Sequence, residues 1–234
     1  MRALAALLLC CIAPALFAAP VVRQIEASYE VTTRGVKIAL VTEKFIRTGN
    51  RYRIESVTKP IGLLAVLKPE TIAVASEGEV TAHGLRPHTY TYKRSKETVR
   101  NTAATFDWKK ANLELSDRQG QRSEPLLPDT QDRLSVLYQF RYIPLLQQHK
   151  ELTMHITNGS KIDTRHYLIH PAQMLTIPTG TLETLYLNTP AEATAWKTEV
   201  WLSVKDGNFP CKIILTEDNG DQLTQVLTAL SITQ

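Results

Sequence analysis

Six histidines and a lone cysteine beyond residue 18 mark where a metal centre or a catalytic base would have to begin. His155, His166 and His170 can share one face of a hairpin turning at Asn158-Gly159. If Thr157 pairs with Ser160 across a two-residue turn, His155 lies opposite Ile162 and ~13 Å along the strand from His166. His166 and His170, four residues apart on a strand, are separated by a similar distance, so no two of the three share an ion. Packed or surface histidines are the expectation, with no metal and no cofactor. No serine occupies a Gly-x-Ser-x-Gly elbow, and no glycine-rich phosphate loop is present. Cys211, in Phe-Pro-Cys-Lys at the start of a strand, lacks an activating neighbour and reads as a buried structural thiol. Among the carboxylates, Asp107 beside Trp108 suits a strand end, while Asp129 and Asp132 suit a helix start. No set of acid, base and nucleophile assembles, and a non-enzymatic protein is expected.

One charged residue stands out. Arg141 falls 20° from Leu134 on a helical projection, in the middle of an apolar face. A buried guanidinium needs an anion or a route to water, so Arg141 reads as a snorkelling or salt-bridged side chain, or as the group that meets the anionic head of a ligand.

The element that would position it runs from Pro128 to Pro144. Asp129 is the expected N-cap, Asp132 sits where a capping box places its second acceptor, and Pro144 ends the helix near Tyr142 or Ile143. That predicts a helix of roughly 20 Å. Leu134, Leu137 and Tyr138 fall on one side and Val136, Phe140 and Ile143 on nearly the opposite side, leaving Gln131, Asp132, Ser135 and Gln139 in a narrow polar sector. A helix apolar on two sides is mostly buried.

Everything else reads as β-hairpins, with turn signals about every ten residues. Turns are expected at Arg34-Gly35, Thr48-Gly49-Asn50, Glu77-Gly78-Glu79, Asn158-Gly159, Asp206-Gly207 and Asn219-Gly220. Arg118 to Pro128 is expected to be a loop. In Ala193 to Val204, Trp196, Thr198, Val200, Leu202 and Val204 share one face. Pro60 to Pro69 is nearly all apolar and bracketed by prolines. It could be a short buried helix, a strand, or an exposed lip over a cavity.

Residues 1–18 carry Arg2 as their only charge, an Ala/Leu-rich core and small residues at Ala18 and Ala19, the pattern of a secretory signal peptide cleaved after Ala18. Residues 19–234 are then expected to form one exported β-rich domain, which the family resemblance given below places in the periplasm. No later apolar run reaches the length of a membrane span, and Cys211 has no partner for a disulfide. The formal charge of +4 is scattered among acidic residues. With no basic stripe interleaved with aromatic residues, nucleic-acid binding is not expected.

Gly84-Leu-Arg-Pro-His-Thr-Tyr90, Phe106-Asp-Trp108, Gln131-Asp-Arg-Leu-Ser135, Ile177-Pro-Thr-Gly180, Trp201-Leu-Ser203 and Phe209-Pro-Cys-Lys-Ile213, in that order, resemble the bacterial domain-of-unknown-function family numbered 3108. The resemblance implies an exported protein of the Gram-negative cell envelope. It also implies a curved sheet similar to the half-barrels of periplasmic lipoprotein carriers, in which helices cover a concavity that holds acyl chains. The family has no established activity and supplies no catalytic positions.

The expected fold is mainly β: a strongly curved antiparallel sheet or half-open barrel of about eleven to twelve strands, with one main helix packed against it. Its concave side is expected to bind a lipophilic or amphiphilic molecule or an envelope component. Leu134, Leu137, Tyr138 and Arg141 on the helix, Trp196 and Leu202 on the sheet, and Ile61, Leu64 and Leu67 on the lip are the candidate lining. The alternatives are an envelope protein-interaction module with a solid core, and, least supported, a glycan or wall hydrolase.

Overall fold

A computed structural model describes residues 22–190, 197–216 and 220–234. Two meanders, one from each end of the chain, meet in the middle of one continuous curved sheet. The first comprises β1 (Gln24–Thr33), β2 (Val36–Thr48), β3 (Arg51–Pro60), β4 (Ile72–Thr81), β5 (Gly84–Arg94), β6 (Thr102–Asp107), β7 (Asn112–Asp117) and β8 (Gly120–Pro125). The second comprises β9 (Gln131–Asp132), β10 (Glu151–Thr157), β11 (Ile162–Ile177), β12 (Gly180–Asn188), β13 (Lys197–Ser203), β14 (Phe209–Thr216) and β15 (Gln222–Thr233). The order is β8-β7-β6-β5-β4-β3-β2-β1-β15-β14-β13-β12-β11-β10-β9. The seam between the meanders is the antiparallel β1–β15 pair, Gln24 opposite Thr233, and the single parallel pairing is β9 with β10. The mainly β expectation holds, with fifteen strands rather than eleven or twelve.

The sheet does not close through hydrogen bonds between its edges, β8 and β9. The tip of the β10–β11 hairpin instead docks on the first meander: the Thr102 hydroxyl donates to the Asn158 carbonyl at 2.6 Å and the Ser116 N–H to the Gly159 carbonyl at 3.2 Å. A Cβ on Gly159 would stand 2.9 Å from the Ala103 nitrogen, so only glycine permits this approach.

Some elements depart from expectation for local physical reasons. No turn forms at Glu77-Gly78-Glu79. β4 runs through it with a register shift, because a Cβ on Gly78 would come within 2.2 Å of the Arg86 carbonyl oxygen and its absence lets the strands close up. The stretch expected as a loop contains β8, an edge strand with no buried residue and hence no alternation to betray it. At Asn158-Gly159 the turn takes four residues, not two. The Asn158 side chain accepts from the N–H groups of Ser160 and Lys161, both at 2.9 Å, and Thr157 pairs with Ile162. His155 therefore faces Thr164, whose hydroxyl lies 3.0 Å from its Nδ1, and His166 bonds Thr153. Among the described residues no three ligating side chains gather.

The helix is much shorter than expected. α2 spans Ser135–Gln139 and continues as one 3-10 turn at Phe140–Tyr142. Asp129 is not its cap and lies at φ 55°. The residue before the helix is Leu134, and Asp132 Oδ1 accepts from the N–H groups of Leu134 and Ser135 at 2.9 and 2.8 Å. Tertiary bonds hold the preceding residues extended: Gln131 Nε2 donates to the Leu85 carbonyl at 2.8 Å, and Ser76 Oγ to Asp132 Oδ2 at 2.5 Å. The two-sided apolarity is real. Leu134 and Tyr138 enter a core under the first meander and the seam, while Val136 and Phe140 enter a second core under β10–β14. Leu137 packs against both.

The Pro60–Pro69 segment forms α1 (Gly62–Leu67), which buries none of its residues. It is a short helix, as one of the alternatives had it, but an exposed one, so the burial expected of that helix is not seen. On β13, Val200 and Leu202 turn inward as the alternation requires, and Trp201 on the opposite face is covered by Tyr186 at 4.7 Å and the Lys212 ammonium at 4.5 Å. Trp196 lies outside the described residues.

Candidate binding pocket

A pocket of about 320 Å³ lies between α2 and the inner face of the second meander. Its wall and floor are apolar: Val136 and Leu137 from the helix, with Ile156, Tyr167, Val200, Ile213 and Leu215 from β10, β11, β13 and β14. Its mouth is charged, with Arg133, Lys161, Asp163 and Arg165 beside Asn158, Thr198 and Gln225. Strand alternation builds this gradient. Asp163, Arg165 and Tyr167 sit at i, i+2 and i+4 on β11, so one inward row passes from two charged groups at the mouth to a buried phenol. Asp163 is flanked by Lys161 Nζ at 3.0 Å and Arg165 Nη2 at 3.5 Å. Among the described residues the mouth carries three cations and one anion. An apolar enclosure with these cations at its mouth suits an amphiphile with an anionic head.

Of the candidate lining among the described residues, only Leu137 reaches this pocket. Leu134 and Tyr138 point the other way into the first core, and Leu202 is wholly buried within the second. Arg141 turns to the opposite end of the sheet, where its Nη1 donates to the Asp206 carbonyl in the β13–β14 turn and the guanidinium lies over Gly207. Burial lowers its pKa. The expectation that Arg141 faces a ligand head is therefore corrected, because a backbone carbonyl takes its charge-assisted hydrogen bond. Ile61, Leu64 and Leu67, on the β3–β4 connection, do not line the pocket. The charged residues of the mouth escaped the sequence reading. The signal was the row Asp163, Arg165 and Tyr167, which strand alternation puts on one face whatever the hairpin register.

The other half of the concave side is filled and carries two buried carboxyls. Glu43 accepts from Tyr138 Oη at 3.2 Å and Ser56 Oγ at 3.3 Å, and burial outweighs both bonds, pushing its pKa up to about 7. Asp132, bonded to Ser76 and the α2 N–H groups, is likewise pushed by burial up to about 6. Tyr29, Tyr52 and Tyr138 beside them have pKa values raised by burial and stay protonated. Phe45 stacks on Tyr138 at 5.4 Å, and Phe209 meets the other ring edge at 5.6 Å. These carboxyls are sealed from the pocket and hold the helix to the sheet. Cys211 is buried, donates to the Trp201 carbonyl at 3.3 Å and is pushed up to about 12.

The family described as "Protein of unknown function (DUF3108)" matches residues 28–228. A β-barrel-like protein of another domain of unknown function, DUF1849, from Brucella abortus has a similar structure: TM-score 0.58, 10% identity, 91% of this chain and 99% of that one covered. A candidate lipoprotein from Parabacteroides distasonis aligns over 89% of this chain and 95% of its own at 10% identity, with a TM-score of 0.37. No curated protein matches in sequence. The Brucella likeness shows the fold. Among the described residues no helix is long and apolar enough to cross a membrane.

Proposed function

The chain belongs to the DUF3108 family, and from that premise we propose that it is a non-enzymatic binding protein, exported to the periplasm, that holds an amphiphile with an anionic head in the pocket beneath α2. The observation that carries this reading is the polarity gradient along β11, from Asp163 and Arg165 at the mouth to Tyr167 on the apolar floor. At about 320 Å³ the pocket stands at the small end of the ~300–1,000 Å³ range of ligand sites. It suits one short chain or the end of a longer one. Asp163, the one carboxylate among the described residues of the mouth, is ion-paired on both sides and is poorly placed as a free acid or base.

A second reading, an envelope protein-interaction module, draws on the filled half of the concave side, where Leu134, Tyr138 and Phe45 leave no room. Native mass spectrometry of protein purified from the periplasm without detergent separates the two. Binding predicts an added mass that extracts as an amphiphile and disappears in Val200→Trp, which fills the pocket, while Lys161→Glu weakens retention. A clean mass that stays unchanged when a fatty acid is offered would reject the binding reading and favour the module.

A further inference from the structure

α1 reverses the usual amphipathic arrangement. Leu63, Val66 and Leu67 stand at i, i+3 and i+4 and form one apolar stripe, yet they are 73%, 76% and 72% exposed. No side chain caps the helix. It is tied to the sheet through the backbone, the Ile61 N–H donating to the Ile38 carbonyl at 2.9 Å. The stripe extends into its surroundings. The adjoining strand β2 exposes Val36 and Leu40, and the 3-10 turn Thr98–Arg100 exposes Val99. An ion pair of 3.2 Å between Lys68 and Glu97 brings that turn beside the helix.

Basic residues flank the patch along the chain: Lys59 at the end of β3 and Lys68 bracket α1, and Lys93 and Arg94 at the end of β5 lead through Lys96 to Arg100 in the 3-10 turn, against Glu70 and Glu97. Both acids are already engaged, Glu70 by Arg94 and Glu97 by Lys68, Arg94 and Arg100. Lys59, Lys93 and Lys96 are exposed.

We propose that α1 seats the protein on the surface of an anionic lipid bilayer, with Leu63, Val66 and Leu67 entering the boundary between headgroups and acyl chains while the flanking cations meet lipid phosphates. A short apolar stripe flanked by basic residues is how a protein lies on an anionic interface without spanning it. A second copy of the chain fits worse. A two-fold contact through α1 would press the flanking basic residues against their own copies, and six part-exposed side chains fall short of the ~800 Å² per partner of a stable complex. Docking also has a geometric consequence. The antiparallel register puts the β3–β4 connection carrying α1 and the β10–β11 turn beside the pocket mouth at the same end of the sheet. The mouth then opens close to the membrane. The docking inference does not depend on the pocket being occupied.

The test is co-sedimentation of the mature protein expected after cleavage at Ala18 with vesicles of phosphatidylcholine with or without about one-third phosphatidylglycerol. The expected result is binding to the anionic vesicles, at least ~fivefold weaker on pure phosphatidylcholine and in ~0.5 M salt. Leu63→Ser, Val66→Ser and Leu67→Ser combined reduce it by ~tenfold or more while near-UV circular dichroism stays unchanged, since these side chains are not in either core. Lys93→Glu with Lys96→Glu reduces it ~fivefold or more. Equal sedimentation with and without anionic vesicles, or an unchanged signal in the triple variant, would overturn the proposal. Ligand retention measured on the same variants separates failure of docking from failure of the pocket.

Discussion

Glu43→Gln is the sharpest probe of the packing of α2 on the sheet. The Glu43 carboxyl is buried between Ala27 on β1 and Ser56 on β3, beneath the Tyr138 hydroxyl. Moving its pKa from 4.5 to about 7 corresponds, at ~1.36 kcal/mol per pH unit, to a penalty of about 3 kcal/mol once the group is fully ionised. Over that window the folded protein keeps a proton that the unfolded chain has already lost. The contribution is therefore intact below about pH 4.5, is lost progressively as pH rises to 7, and is flat above. About 2 kcal/mol of the loss falls between ~pH 5.5 and ~pH 8.5. Glutamine preserves shape and hydrogen-bonding capacity but does not ionise. Urea unfolding of both proteins across this range isolates the effect, because Asp132 and the other titrating groups cancel in the difference. The variant should gain about 2 kcal/mol on wild type from the acidic to the alkaline end, with unchanged m-values. Parallel stability curves would refute the claim that this carboxyl is buried against the helix.

Further outcomes follow from particular contacts. Gly78→Ala should cost about 3 kcal/mol or prevent folding, since its Cβ would meet the backbone of Arg86 and Pro87 within 2.9 Å, and thermal unfolding measures it. Arg141→Met removes the bond to the Asp206 carbonyl and should destabilise by about 1–2 kcal/mol while leaving ligand retention within ~twofold of wild type, as native mass spectrometry would record. Cys211, buried and raised to about 12, should resist a thiol reagent such as DTNB in the native protein and react at once in denaturant. Early reaction would mean that β14 opens locally.

Much of the architecture was legible from residue order because it depends on period and turn chemistry. Alternation in β3 and β13, the Arg34-Gly35 and Asp206-Gly207 turns, and the two-sided face of Leu134, Val136, Tyr138 and Phe140 all survive in the structure. Two local elements left no period or turn-length signal to read. β8 escaped because an edge strand buries nothing, and the Asn158 turn because a side-chain acceptor lengthened it by two residues.

The sequence by itself determined a β-rich chain with a doubly apolar helical segment and an apolar segment between prolines. These are properties of neighbours along the chain. Only the tertiary structure decided that the helix begins at Ser135, because Ser76 and Leu85 claim Asp132 and Gln131 from across the sheet. It alone decided that Arg141 caps a turn instead of meeting a ligand, that α1 faces outward, and that Lys161, Asp163 and Arg165 gather with Arg133 at one mouth. For the start of the helix and for Arg141 the physical reason is the same: a buried polar group goes where a partner can satisfy it, and that partner lies tens of residues away.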